Sequence, residues 1–209
     1  MDLRPDPVVD ELRRITPWAD VCGGTFAHWL PHPRSISRAE RPLVFHCVQD
    51  QATRLCLRRL FEQAGQTHAV PGRLPSGSRD WPQGYTGSVS HKGTKIVVAL
   101  AHADRLRGIG IDIERLTDLR HSQRLVPDET VPRRLDTEEE AIEFSAKEAV
   151  FKALHPLLGS LDMNDIFLMW EHNEGRLRMG SAIFDGVTVE VHSSSVVDCW
   201  VASSARVAL

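Results

Sequence analysis

Apolar residues in this chain fall into short periodic runs separated by turn formers, and those runs predict the elements. Asp6-Pro7 has the character of a helix N-cap followed by a first-turn proline, and Val8, Val9, Leu12 and Ile15 recur on one helical face. Residues 18 to 40 hold prolines and a glycine pair with little periodicity, which predicts a loop draped over the core. Between Asp50 and Ala64, Ala52, Cys56, Leu60 and Ala64 form an i, i+4 stripe flanked by Leu55, Leu57 and Phe61, and Gly65 ends this second helix. Residues 71 to 87, PGRLPSGSRDWPQGYTG, predict a long irregular connection of the kind that more often binds something than merely links elements. GSVSHKG, KIVVALA and the stretch from Ile109 to Glu114 predict three strands of one antiparallel sheet.

The second part repeats the layout. Thr137 with Glu140 fits a capping box, and Ile142, Ala146, Ala149 and Ala153 mark the buried side of the helix that follows. Ile166 to Trp170, Leu177 to Phe184, Val187 to Val191 and Cys199 to Ala202 predict strands, with Asp185-Gly186 as a hairpin turn. The order predicts an α+β chain of two similar halves, residues 1–107 and 108–209, in one compact unit. No repeated sequence accompanies the similarity.

Residues 108 to 114 read GIGIDIE. Strand alternation sends Ile109, Ile111 and Ile113 into a core and puts Gly110, Asp112 and Glu114 on the opposite face. Two carboxylates roughly 6.5 Å apart at an effective dielectric near 20 repel by roughly 2.5 kcal/mol, so a cation is expected beside them. Paired hard oxygens suit Mg2+, with Mn2+ an alternative that oxygen ligands do not separate from it. An edge strand carrying two solvated acids satisfies the same pattern. On the later helix, Ser145, Glu148 and Lys152 share one line, and Glu148 with Lys152 also fits an i, i+4 surface ion pair worth roughly 0.3–0.5 kcal/mol. Arg54 and Arg58, one turn apart, read either as a solvated edge or as a phosphate clamp. His91, at a strand end, reads as structural or catalytic.

The bulk numbers narrow the class. With 209 residues, 42% hydrophobic and 25% charged, and a net charge of -3, the chain has an ordinary globular composition without the basic excess of a dedicated nucleic-acid binder. The first fifteen residues lack an apolar signal core, and the longest apolar run, Ile96 to Ala101, is too short to span a bilayer; a cytoplasmic protein without membrane association is expected. Cys22, Cys47, Cys56 and Cys199 have no metal-type spacing and are expected as reduced thiols, and no zinc motif is present.

Three stretches together resemble the 4'-phosphopantetheinyl transferases, in particular the group that activates siderophore and other nonribosomal peptide synthetases. They are WPQGYTGSVSHK (Trp81 to Lys92), GIGIDIE (Gly108 to Glu114) and FSAKEAVFKAL (Phe144 to Leu154). The resemblance implies pseudo-symmetric halves, each a helix packed on a three-stranded, mainly antiparallel sheet. It implies transfer of phosphopantetheine from coenzyme A to a serine of an acyl or peptidyl carrier protein, with release of adenosine 3',5'-bisphosphate. By the same matching, Asp112, Glu114 and Glu148 are metal ligands, Glu148 also being the candidate base, and Lys152 touches the reacting phosphate. Ser90, His91 and Arg73 fall at phosphate-contacting positions, and Arg54 at a 3'-phosphate clamp; Lys92 follows His91 where relatives vary, and is expected to add positive charge for binding coenzyme A. A monomer is implied as well.

The chain departs from the family in places. LVFHCVQDQATRLC carries His46 where relatives have another arginine, and Phe144 stands where many have tryptophan. Carrier domains of such systems are acidic, so the polar segment Leu116 to Leu135, expected to be mobile, offers Arg120, Arg124, Arg133 and Arg134 as a docking surface, or else is a solvated loop. A Mg2+-dependent phosphohydrolase using the same acids and a non-catalytic carrier-binding module are the alternatives.

Overall fold

A computed structural model describes residues 2–32, 35–37, 39–66, 70–74, 78–115, 138–196 and 200–209. The segment with Arg120, Arg124, Arg133 and Arg134, and also Thr137 and Cys199, lies outside the described residues.

Helix α1 (Pro7–Ile15) forms as the sequence predicts: Asp6 Oδ1 accepts from the Val8 N–H at 3.0 Å, and Val8, Val9, Leu12 and Ile15 are buried. The region predicted as a loop contains a strand instead, β1 (Asp20–Thr25), paired antiparallel with β3 (Lys95–His102). Its glycine pair hides it from a pattern search, yet the pairing needs small residues: a Cβ on Gly23 would fall 2.4 Å from the Ile96 carbonyl oxygen. Helix α2 (Arg41–Gln63) begins nine residues before Asp50, ahead of the apolar stripe, because its first turns are half-buried or exposed, and its buried residues run from Ala52 to Phe61. β2 (Tyr85–Lys92) completes a three-stranded sheet in the order β1-β3-β2.

β4 (Leu106–Arg115) does not join that sheet. It is an edge strand of a second, five-stranded antiparallel sheet, in the order β4-β8-β7-β6-β5, with β5 (Leu168–Glu174), β6 (Leu177–Phe184), β7 (Val187–Val196) and β8 (Trp200–Ala208). The expected pair of three-stranded halves is therefore a three-stranded and a five-stranded sheet. Between β2 and β4, side chains stand in for a main-chain ladder: the Ile111 N–H donates to Ser88 Oγ at 3.0 Å and the Ile113 N–H to Ser90 Oγ at 3.3 Å.

The alternation of β4 puts Ile109, Ile111 and Ile113 in a core shared with Val8, Leu12 and Ile15 of α1, Val97 and Ala99 of β3, and Trp200 and Ala202 of β8. The same core thus draws on both sheets. On the other face of β4 lies helix α3 (Glu138–Leu158), whose Ala146, Ala149, Val150 and Ala153 pack with Val189, Val191, Ala205 and Val207.

Candidate active site

The GIGIDIE glycines explain why α3 comes so close. An ideal Cβ on Gly110 would stand 1.8 Å from the Ala149 carbonyl oxygen, and one on Gly108 would stand 2.3 Å from that of Ala153. Any side chain there would push the helix away. With glycine in place, Glu148 and Lys152 are brought against the next two even-numbered positions of the strand, Asp112 and Glu114.

Asp112 is 3% exposed and Glu114 7%. Lys152 Nζ donates to Asp112 Oδ1 at 2.6 Å and to the Ile111 carbonyl at 3.3 Å, and lies 3.7 Å from Glu148 Oε2. Ser90 Oγ, buried in the seam, donates to Asp112 Oδ1 at 2.9 Å while accepting from the Ile113 N–H. Lys92 Nζ forms an ion pair with Glu114 Oε2 at 2.8 Å. The motifs singled out in the sequence therefore meet at one place, and the surface-pair reading of Glu148 and Lys152 does not describe it.

Burial and charge shape the titration of the group. Burial, and after it the charge of Asp112, pushes Glu114 up to about 7 against the opposing pull of Lys92. Burial also raises the Glu148 carboxyl; Lys152 offsets part of this and Asp112 adds to it. Burial works against the charge of Lys152, but Asp112 and then Glu148 hold its ammonium above the ordinary lysine range.

Hard oxygens from Asp112 and Glu114, with Glu148 nearby, match the donor set of Mg2+ or Mn2+. Among the described residues no three ligand side chains converge on a common point. What favours a cation is Asp112 Oδ2, buried with no hydrogen-bond partner among the described residues, a lone acceptor that a metal would satisfy.

A second cationic group lies beside the first. Arg54 pairs with Asp50 at 2.6 Å on the exposed face of α2. Arg73 faces Arg79 across an isolated antiparallel bridge, and Arg79 Nη1 donates to the Pro71 carbonyl at 3.1 Å. Burial, and then the repulsion of Arg73, lowers the Arg79 pKa, with Asp50 and Arg54 also close enough to act on it. His91 is an exposed residue near the end of β2, on the side where Val89 and Tyr85 pack into a core; partial screening of its ring from solvent, followed by the charges of Lys152 and Arg73, lowers its pKa. Ser78 Oγ and His155 Nδ1, 3.1 Å apart, tie the 71–80 connection to the last turns of α3. The sequence reading missed Arg79. Its signal was an arginine inside a long turn-rich segment already expected to bind, two residues before Trp81.

Acids on a strand, an ammonium and a third acid on a packed helix, and an arginine cluster beside them define a protein equipped to handle phosphate groups. Models of known families give the class a name: the 4'-phosphopantetheinyl transferase N-terminal domain matches residues 51–101, and the 4'-phosphopantetheinyl transferase superfamily matches residues 108–198. The 4'-phosphopantetheinyl transferase Npt of Nocardia iowensis is 28% identical over 76% of this chain and 78% of its own length. The 4'-phosphopantetheinyl transferase Svp of Streptomyces mobaraensis is 33% identical over 70% of this chain, and enterobactin synthase component D of Salmonella typhimurium is 32% identical over 60%. The chain spans 63% and 54% of the length of those last two relatives. It belongs to the 4'-phosphopantetheinyl transferase superfamily and is a transferase of that class.

Proposed function

We propose that this enzyme moves the 4'-phosphopantetheine arm of coenzyme A onto a serine of an apo acyl or peptidyl carrier protein, with Mg2+ or Mn2+ as its metal. The observation that carries this reading is the contact of Lys152 with Asp112 at 2.6 Å, with Glu148 one helical turn back. Asp112 and Glu114 would hold the metal, with Glu148 as a third oxygen donor. When bound, the ion neutralises charge on the coenzyme A diphosphate and makes its phosphorus more open to attack.

The chain's own groups do the rest. Arg73 and His91 bind and orient the diphosphate, Ser90, whose hydroxyl proton goes to Asp112, holds that acid in place beside it, and Arg54, joined by Arg79, faces the 3'-phosphate. Glu148, its carboxyl raised by burial, takes the proton of the carrier serine directly or through one water. The serine oxygen then bonds to the β-phosphorus while the bond to the bridging oxygen breaks, and adenosine 3',5'-bisphosphate leaves carrying that oxygen. Lys152 offsets the charge that develops on the phosphate.

Enterobactin synthase component D carries a siderophore pathway in its name, and on that likeness a carrier domain of a nonribosomal peptide or siderophore synthetase is the proposed partner. A cytoplasmic monomer is part of the same proposal. Among the described residues no helix is long and apolar enough to cross a membrane. The deciding experiment is the intact mass of an apo carrier protein before and after incubation with the enzyme, coenzyme A and Mg2+. A gain of one phosphopantetheine arm supports the reading, whereas release of product from coenzyme A without any carrier makes the enzyme a phosphohydrolase.

A further inference from the structure

The two acids of β4 are answered from different elements. Asp112 meets Lys152 of α3, whereas Glu114 meets Lys92, the last residue of β2 and on the same face of that strand as Ser90. The Lys92–Glu114 pair is shielded, with 23% of one side chain and 10% of the other exposed, and the Glu114 carboxylate has Asp112 as its like-charged neighbour. An ammonium and a divalent ion draw on the same carboxylate lone pairs, and a shielded ammonium gives its partner up reluctantly. Lys92, expected from the sequence to add positive charge for coenzyme A at a position where relatives vary, thus meets the site at a ligand oxygen.

We propose that Lys92 sets the divalent-ion affinity of this enzyme by competing for Glu114, so that metal is held weakly until an anionic ligand draws the ammonium away. The inference rests on the reading of Asp112 and Glu114 as metal ligands. The diphosphate of coenzyme A is an anion suited to release Lys92, which couples metal binding to coenzyme A binding: each strengthens the other.

The test is Mn2+ binding, read from the free-ion signal in electron paramagnetic resonance, for the full chain and for Lys92→Met, Lys92→Gln and Lys92→Arg, with thermal melting confirming that each is folded. Both neutral variants are expected to bind Mn2+ at least about tenfold more tightly than the parent, the scale on which groups hydrogen-bonded to ligands alter metal affinity. Lys92→Arg should stay near the parent, and added coenzyme A should narrow the gap between the parent and Lys92→Met. Unchanged or weaker Mn2+ binding by the neutral variants overturns the inference. If in addition their coenzyme A affinity falls, Lys92 is a phosphate contact. Failure of the parent and all variants to bind Mn2+ at millimolar concentration sinks the metal-ligand reading together with the inference. Transfer in the carrier mass assay with unaltered Mn2+ affinity in Lys92→Met sinks the inference alone.

Discussion

Gly110 and Ala149 touch backbone to backbone, and that contact sets how far the Glu148–Lys152 turn stands from the acid strand. Gly110→Ala would place a methyl group inside the Ala149 carbonyl. Loss of about 1–3 kcal/mol in stability is expected from the overpacking, together with a transfer rate reduced at least tenfold, since about 1 Å of misplacement costs that and more. Urea midpoints and kcat for the purified variant check both; a variant as active as the parent would show that the close approach is unnecessary.

Ser88 holds the seam without touching the acids. Removing its hydroxyl leaves the Ile111 N–H buried and unpaired, at a cost of about 1–3 kcal/mol, while Ser88→Thr keeps the bond. Ser90→Ala loses the contact to Asp112 as well and is expected to lower kcat more than Ser88→Ala does. Comparing kcat with the denaturation midpoint across the three variants separates the two roles.

Glu148→Gln preserves shape and removes the base. Transfer is expected to fall by about 10²–10⁴-fold with the fold retained, the usual contribution of a positioned proton acceptor. Circular dichroism and the carrier mass assay provide the two readouts.

Without divalent ions, stability should depend on pH through Glu114. Burial and the charge of Asp112 push its carboxyl up to about 7 in the fold, against about 4.5 once unfolded, so between these values the native state holds the extra proton. Stability contributed by this group is present below about 4.5 and is lost as pH rises through about 7, by roughly 3 kcal/mol at most. Glu114→Gln should flatten that part of the profile, measured by chemical denaturation at several pH values in chelator.

Arg79→Ala should raise the KM for coenzyme A by about tenfold, more than it lowers kcat, because a charge-assisted phosphate contact is worth about 1.5–3 kcal/mol. An unchanged KM would limit Arg79 to holding the Pro71 carbonyl.

Much of the site could be read from the chain because its parts are local. Strand alternation alone puts Asp112 and Glu114 opposite Ile111 and Ile113, and helical spacing alone aligns Glu148 with Lys152. That these two pairs meet came from the resemblance, as no residue pattern encodes a contact across 40 positions. The fold was legible where periodicity was strong, as in α1, and not where the neighbours decide. β1 is a strand because β3 offers it an edge, and its Gly23-Gly24 carries no apolar signal. β4 pairs with β8 rather than β2 because serine side chains occupy the space where a ladder to β2 would run. Arg79 was missed since its neighbours Arg54 and Arg73 come from a distant helix turn and the other arm of its own loop.

The core beneath β4 also has a bearing on how the chain acquires its shape. Val8, Leu12 and Ile15 find their partners partly in Trp200 and Ala202, and the Ser204 hydroxyl donates to the Ile15 carbonyl at 2.8 Å. The apolar face of α1 is therefore covered only once β8, whose Ser204 lies 189 positions from Ile15, has been brought to it. Neither sheet can be cut free of the other without stripping part of that face, so residues 1–107 expressed alone would lose the cover that Ile111, Ile113, Trp200 and Ala202 give to α1, and closure over so long a loop makes assembly a late and slow event.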